Sequence, residues 1–226
     1  VNKRQLKPPF LCLVTDPDTP DLLQSIEIAL SAGVNMLQLR GHHLTAARMY
    51  ALARALRPLC QRYNALFIVN DRIDVGLAVG ADGFQLGANS LPLNIVRQLV
   101  GENYLRGVSV HSVEEARAAI TGGADYLLVG SVFASRSHPD RPGSGTGLLS
   151  EIRQKIDARH ACPLLAIGGI TSANARLVIE AGADGVAVIS ALLQAPDIAQ
   201  ATRELRTAID LSYGESIKVA LRKEEV

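Results

Sequence analysis

Four segments of the sequence repeat one pattern: SAGVNMLQL (31–39), AVGADGFQL (78–86), ITGGADYLLV (120–129) and IEAGADGVAV (179–188). In each, a helix-like stretch ends in a glycine and a short apolar run follows. Glycine suits the left-handed residue that closes a helix, because it has no Cβ to clash there. The four glycines, Gly33, Gly80, Gly123 and Gly182, are 47, 43 and 59 residues apart. One strand–helix unit takes only about 25 to 30 residues, so each interval should hold a second unit. Those units are visible as FLCLVT (10–15), ALFIVN (65–70), RGVSV (106–110) and PLLAIG (163–168), with helical patterns such as 44–63 and 112–123 between strands. Short runs that are apolar throughout are what parallel strands covered on both faces require. Strands and helices alternating in this way predict a single (β/α)8 TIM barrel over residues 1–213. An open doubly wound sheet is the alternative, because counting strands does not prove closure. Residues 214–226 are expected to form a partly ordered C-terminal extension.

Composition narrows the function classes. With 23 basic and 22 acidic residues, no Trp and 4% aromatics, the chain lacks the basic surface and stacking groups of a nucleic-acid binder. Its apolar runs are too short to span a membrane, and no secretory signal is read at its start. Cys12, Cys60 and Cys162 lie far apart with no metal-binding spacing, so buried, reduced thiols in a cytoplasmic protein are expected. A small molecule is the expected partner, and a homo-oligomer is left open.

A TIM barrel carries its chemistry at the C-terminal ends of the strands. Those ends hold Thr15, Gln38, Arg40, Asn70, Asp71, Gln85, Ser109 and His111. After the seventh strand, AIGGITSANA places Gly168 and Gly169 ahead of a helix that Thr171 or Ser172 is placed to cap. After the eighth, Ile189 and Ser190 begin another helix. Two helix starts side by side expose backbone N–H groups to an anion, and barrels often hold a phosphate there. Residues 130–147 form a long loop rich in Ser, Gly, Pro and basic residues. It is expected to cover an anionic ligand, with Arg136, His138 and Arg141 supplying charge. Asp71 reads as a metal ligand, as the N-cap of DRIDVGLAVG, or as both, and the cap is favoured because it needs no ligand.

The pieces QLR (38–40), FIVND (67–71), ADGFQLG (81–87), GVSVHS (107–112), GADYLLVGSVF (123–133) and AIGGI through EAGADGVAVIS (166–190) resemble the thiamine-phosphate synthase superfamily. The resemblance covers residues 10 to 210. It implies a barrel that binds a thiazole phosphate, with Gly168, Gly169, Ile189 and Ser190 on the phosphate. Gln38, Arg40, Asn70, Gln85, Ser109, Ser135, Ser137 and His138 are the implied substrate contacts. One branch joins a pyrimidine pyrophosphate to thiazole phosphate with Mg²⁺ and releases pyrophosphate. The other, the thiazole tautomerase, isomerises a thiazole carboxylate phosphate to its aromatic form without metal.

Three departures separate the branches. The synthase pattern Gln-x-Arg-Glu-Lys here reads Gln38-x-Arg40-Gly41-His42. Its second Mg²⁺ aspartate is Ser90. Its Thr-x-Thr-Lys is Ser135, Arg136, Ser137 and His138. Departing pyrophosphate develops several negative charges that cations must neutralise, so these losses favour the tautomerase, an isomerase with no cofactor. The tautomerase branch has the same Ser-Val-His-Ser run with its histidine as the acid/base, so the resemblance implies that role for His111, and an imidazole suits such proton transfer. Asp71 is the one residue expected to hold Mg²⁺ if a metal site remains. The alternatives are a thiamine-phosphate synthase using Mg²⁺ and a non-catalytic phosphate-binding or regulatory barrel.

Overall fold

The computed structural model describes residues 3–134, 143–156 and 162–224, with side chains to residue 216. Eight parallel strands close into a barrel in sequence order: β1 (Phe10–Val14), β2 (Met36–Leu39), β3 (Leu66–Asn70), β4 (Gly83–Leu86), β5 (Leu105–Val110), β6 (Tyr126–Gly130), β7 (Leu164–Ile167) and β8 (Gly185–Val188), with β8 paired to β1. The helices are α1 (Leu22–Ser31), α2 (Ala46–Arg62), α3 (Ile73–Val79), α4 (Leu93–Val100), α5 (Val113–Thr121), α6 (Gly147–Lys155), α7 (Ala175–Glu180), α8 (Ser190–Leu193) and α9 (Ile198–Glu224). The predicted TIM barrel is therefore observed and the open sheet is not. The four repeat glycines all have positive φ, between 61° and 124°. The division expected at residue 213 falls within α9. No described helix is long and apolar enough to cross a membrane.

Alternation along the strands sorts side chains into two apolar layers. Phe10, Cys12, Val14, Met36, Leu66, Ile68, Leu105, Tyr126 and Leu165 fill the barrel, while Leu11, Leu13, Leu37, Phe67 and Val69 pack outward under the helices. The three buried thiols, Cys12, Cys60 and Cys162, are unbridged.

The repeat has a second purpose at the barrel's closed end. The residue two positions after the glycine is Asn35, Asp82, Asp125 or Asp184. Each accepts a hydrogen bond from the backbone at or just before the preceding strand: from Leu11 N at 2.9 Å, Phe67 N at 2.8 Å, Arg106 N at 2.8 Å and Leu164 N at 2.8 Å, respectively. The three aspartates also hold cations. Asp82 takes Arg57 at 2.9 Å, Asp125 takes Arg106 and Lys3, and Asp184 takes Arg153. A charged acceptor makes a stronger bond than a neutral one. The barrel is thus four strand pairs, each fastened at its base by the same position of the repeat.

Candidate active site

Continuing the inward alternation to the open end brings Gln38, Asn70, Gln85 and Ser109 onto one wall, from β2 to β5. Val14, Leu128, Ile167 and Ala187 face them from the other strands. Gln38, Asn70 and Gln85 are buried, so each needs a partner. Gln38 Nε2 donates to Asn70 Oδ1 at 2.8 Å, and Asn70 Nδ2 donates to Asp71 Oδ2 at 2.6 Å. Gln85 Nε2 donates to Ser109 Oγ at 3.1 Å. The four amide and hydroxyl residues named from sequence are brought together, as a donor–acceptor wall suited to a polar heterocycle.

A charged corner adjoins this wall. Thr15 Oγ1 accepts from Arg40 N and donates to its carbonyl oxygen, both at 2.9 Å, which pins the end of β2 to the end of β1. Arg40 Nε donates to His42 Nε2 at 2.9 Å, and His42 Nδ1 lies 3.9 Å from Asp71 Oδ2. Ser90 Oγ donates to Asp71 Oδ1 and accepts from Gly87 N at 2.6 Å. The cap expected of Asp71 is not made. Arg72 occupies the N-cap of α3, without a side-chain bond, and the Asp71 carboxylate turns to Asn70 and Ser90 instead. Asp71 and Ser90 offer hard oxygen donors, the kind Mg²⁺ takes, and Mg²⁺ needs only one or two carboxylates when substrate phosphates complete its shell. No group of three or more metal-binding His, Cys, Asp or Glu occurs among the described residues, so the donor set fits a magnesium ion only with substrate oxygens added.

Gly168, Gly169, Ile189 and Ser190 line a cleft of about 520 Å³ on the opposite side of the mouth. Ser190 opens α8; the Leu192 and Leu193 N–H groups donate to the Ile189 carbonyl at 3.2 and 3.0 Å, and those of Ser190 and Ala191 precede the first bond of the helix. Gly169 has φ 60°, and a Cβ there would overlap the Ala134 carbonyl oxygen and lie 2.9 Å from Phe133 Cβ. Neither Thr171 nor Ser172 caps α7. Asn174 closes this turn, accepting from Thr171 N at 2.8 Å and donating to the Gly169 carbonyl at 3.0 Å. A smaller cleft of about 320 Å³ contains Arg40, His42, His43 and Asp16. Ile189 borders both clefts, so the glycine-lined and charged-corner spaces meet at this residue.

His111 stands apart. It follows β5, its side chain is 54% exposed, and Glu115 on α5 holds it. Glu115 Oε2 accepts from His111 N at 2.7 Å and lies 3.3 Å from its Nδ1. The sequence reading missed Glu115, although Ser112-x-x-Glu115 is the signature of a capping box. Ser112 Oγ does accept from Glu115 N, at 3.1 Å. It also missed the buried Tyr126 beneath the wall, which a strand pattern cannot tell from ordinary core. Ser135, Arg136, Ser137, His138 and Arg141 lie outside the described residues.

The chain matches the family described as Thiamine monophosphate synthase over residues 11–192. It belongs to that family. A relative from Methanospirillum hungatei, named thiamine-phosphate synthase, is 46% identical over 198 residues, spanning 86% of this chain and 94% of the relative. Another so named, from Moorella thermoacetica, is 45% identical over 193 residues, spanning 85% of this chain and 90% of its own. The solved structure of a thiamine phosphate pyrophosphorylase from Pyrococcus furiosus has a TM-score of 0.82 at 39% identity, covering 90% of this chain and 96% of that one.

These relatives overturn the expectation of a metal-independent thiazole tautomerase, and with it the isomerase class. That expectation counted Gly41, His42, Ser90 and His138 as lost machinery, and His138 lies outside the described residues. In the fold, His42 and Ser90 both sit within reach of Asp71, and Arg40 is bonded to His42. The differences are substitutions inside a connected polar corner, which position-by-position comparison counts as deletions.

Proposed function

We propose that the chain is a thiamine-phosphate synthase, joining a hydroxymethylpyrimidine pyrophosphate to a thiazole phosphate and releasing pyrophosphate. The observation that carries the reading is likeness over almost the whole length of relatives bearing that name. The division of the mouth supports it. The glycine cleft around Gly168, Gly169, Ile189 and Ser190 would take the thiazole phosphate through backbone N–H groups. The Gln38, Asn70, Gln85 and Ser109 wall would take the pyrimidine, and Arg40 with His42 would lie along the pyrophosphate. In the reaction the thiazole nitrogen forms a bond to the pyrimidine methylene carbon as the carbon–oxygen bond to pyrophosphate breaks. No carbon-bound proton is removed, so this chemistry asks no acid/base step of His111. We assign His111, tied to Glu115, to the rim, and Ser135, Ser137 and His138 to substrate contacts.

Magnesium would be held by Asp71 with the Ser90 hydroxyl, and when bound it neutralises the negative charge that develops on the departing pyrophosphate. Asp71 is oriented for this by Asn70 and Ser90, which occupy one oxygen each. The polar wall orients the pyrimidine so that its methylene faces the thiazole.

The test incubates the purified protein with both substrates and Mg²⁺ and follows thiamine phosphate by oxidation to fluorescent thiochrome, with pyrophosphate measured in parallel. Equimolar products that vanish with EDTA are expected. No condensation at saturating Mg²⁺ would refute the reading.

A further inference from the structure

Beneath the polar wall, two buried polar atoms have no hydrogen-bond partner among the described residues: Gln85 Oε1 and the Tyr126 hydroxyl. Both residues are 1% exposed. Gln85 on β4 and Tyr126 on β6 are each in register with Gly107 on β5. Neighbouring strands are about 4.8 Å apart, so side chains two strands apart meet only by leaning across the strand between. Gly107 leaves that space. A Cβ there would overlap the Tyr126 ring carbon and hydroxyl and Gln85 Oε1, so both oxygens crowd one point.

The chemistry of the two atoms is complementary. An amide oxygen only accepts, and a phenol can donate. Burial raises the Tyr126 pKa well above its ordinary value, so the phenol keeps its proton. The other end of Gln85 fixes the direction. Its Nε2 donates to Ser109 Oγ at 3.1 Å and faces the Leu86 carbonyl oxygen at 3.4 Å. Because a carbonyl oxygen cannot donate, the amide nitrogen belongs at this upper end. Ser109, having accepted from Gln85, keeps its own proton for a group in the mouth.

We infer that Tyr126 is a positioning residue, whose hydroxyl donates to Gln85 Oε1 directly or through one buried water and thereby sets Ser109 as a hydrogen-bond donor toward substrate. The feature selected is an acceptor, either an unprotonated ring nitrogen or an anionic oxygen. Without the hydroxyl, only the long contact of Nε2 with the Leu86 carbonyl oxygen, at 3.4 Å, still holds the amide in this direction. The flipped amide would then accept from Ser109 and consume its proton. The kinetic consequence rests on the synthase reading; the direction of the amide does not.

Tyr126→Phe removes one oxygen and keeps the ring. In the ¹⁵N-labelled protein, the Gln85 side-chain NH₂ pair is assigned by its loss in Gln85→Met. It is expected to be sharp and slow to exchange, and to shift and broaden in Tyr126→Phe. An unchanged pair overturns the inference, and this readout needs no turnover. In kinetics, Tyr126→Phe is expected to lower kcat/KM about 5- to 10-fold, the worth of one hydrogen bond, and to have no effect in a Ser109→Ala background. Equal loss in both backgrounds marks a merely structural role and overturns it. Should Tyr126→Phe fail to fold, Gln85→Met with and without Ser109→Ala completes the same cycle. A wild-type protein with no condensation activity refutes the synthase reading alone, and the amide spectrum still decides the inference.

Discussion

Gly80 and Gly169 share nearly the same positive φ, 61° and 60°, in different surroundings. A Cβ on Gly80 meets nothing within 4 Å, whereas one on Gly169 overlaps the Ala134 carbonyl oxygen and presses on Phe133. Alanine at either site takes on left-handed strain of about 1–2 kcal/mol, partly offset by about 0.4–1 kcal/mol from a stiffer unfolded chain. Gly80→Ala should therefore cost about 1 kcal/mol. Gly169→Ala adds overpacking of about 1–3 kcal/mol, for a total of about 2–4 kcal/mol. In a domain of this size each kcal/mol moves Tm by about 2–4 °C. Thermal unfolding should show a fall of about 2–4 °C for Gly80→Ala and roughly 5–15 °C for Gly169→Ala. Because Gly169 lines the cleft and Gly80 ends α3 on the outside, only Gly169→Ala should also weaken thiazole phosphate binding, by more than about tenfold (about 1.4 kcal/mol) in calorimetry. Equal Tm shifts with unchanged binding in both variants would refute the close approach of loop and backbone at Gly169.

Four further outcomes are expected. Asp82→Ala leaves Arg57 and the Phe67 N–H without their buried acceptor, which should cost about 3–5 kcal/mol in urea unfolding. Loss of the exposed Arg72–Asp74 pair should cost at most about 1 kcal/mol. Ser90→Asp places a second carboxylate beside Asp71 and should lower the Mg²⁺ concentration for half-maximal condensation about tenfold, whereas Asp71→Ala should raise it by at least as much. Burial pushes the Cys12 thiol from its ordinary 9.0 up to about 12. Above pH 9 the unfolded chain loses this proton first, so stability is full below pH 9 and declines as pH rises toward 12; urea midpoints from pH 7 to 11 check the sign, and Cys12→Ala should flatten the slope.

The barrel was legible because helix-closing glycines and fully apolar strands each have one physical reading, and eight of them in alternation leave few architectures. The wall of Gln38, Asn70, Gln85 and Ser109 followed from the barrel, since strand ends and alternation decide which residues face the mouth. Bonds that depend on a neighbouring element's side chain were not legible. Asp71 read as a cap because its sequence neighbours are a helix, while its partner Ser90 arrives from the loop after β4. Asn174 instead of Thr171 or Ser172 closes the glycine turn, because the turn extends further than a capping pattern assumes. The branch of the family was misread for a related reason: His42 and Ser90 differ from the expected residue types, yet reach the same carboxylate.

The clips at the barrel base divide the molecule by task. Each of Asn35, Asp82, Asp125 and Asp184 fastens its own strand pair at the end away from the mouth. A quarter of the barrel thus carries its own backbone clip, while ion pairs such as Lys3–Asp125 reach it from outside. Loops at the other end can be lengthened, exchanged or re-specified without touching what closes the ring, so the barrel can be treated as four interchangeable staves. A chimaera cut between quarters, with mouth loops taken from a relative of different specificity, should keep all four backbone clips.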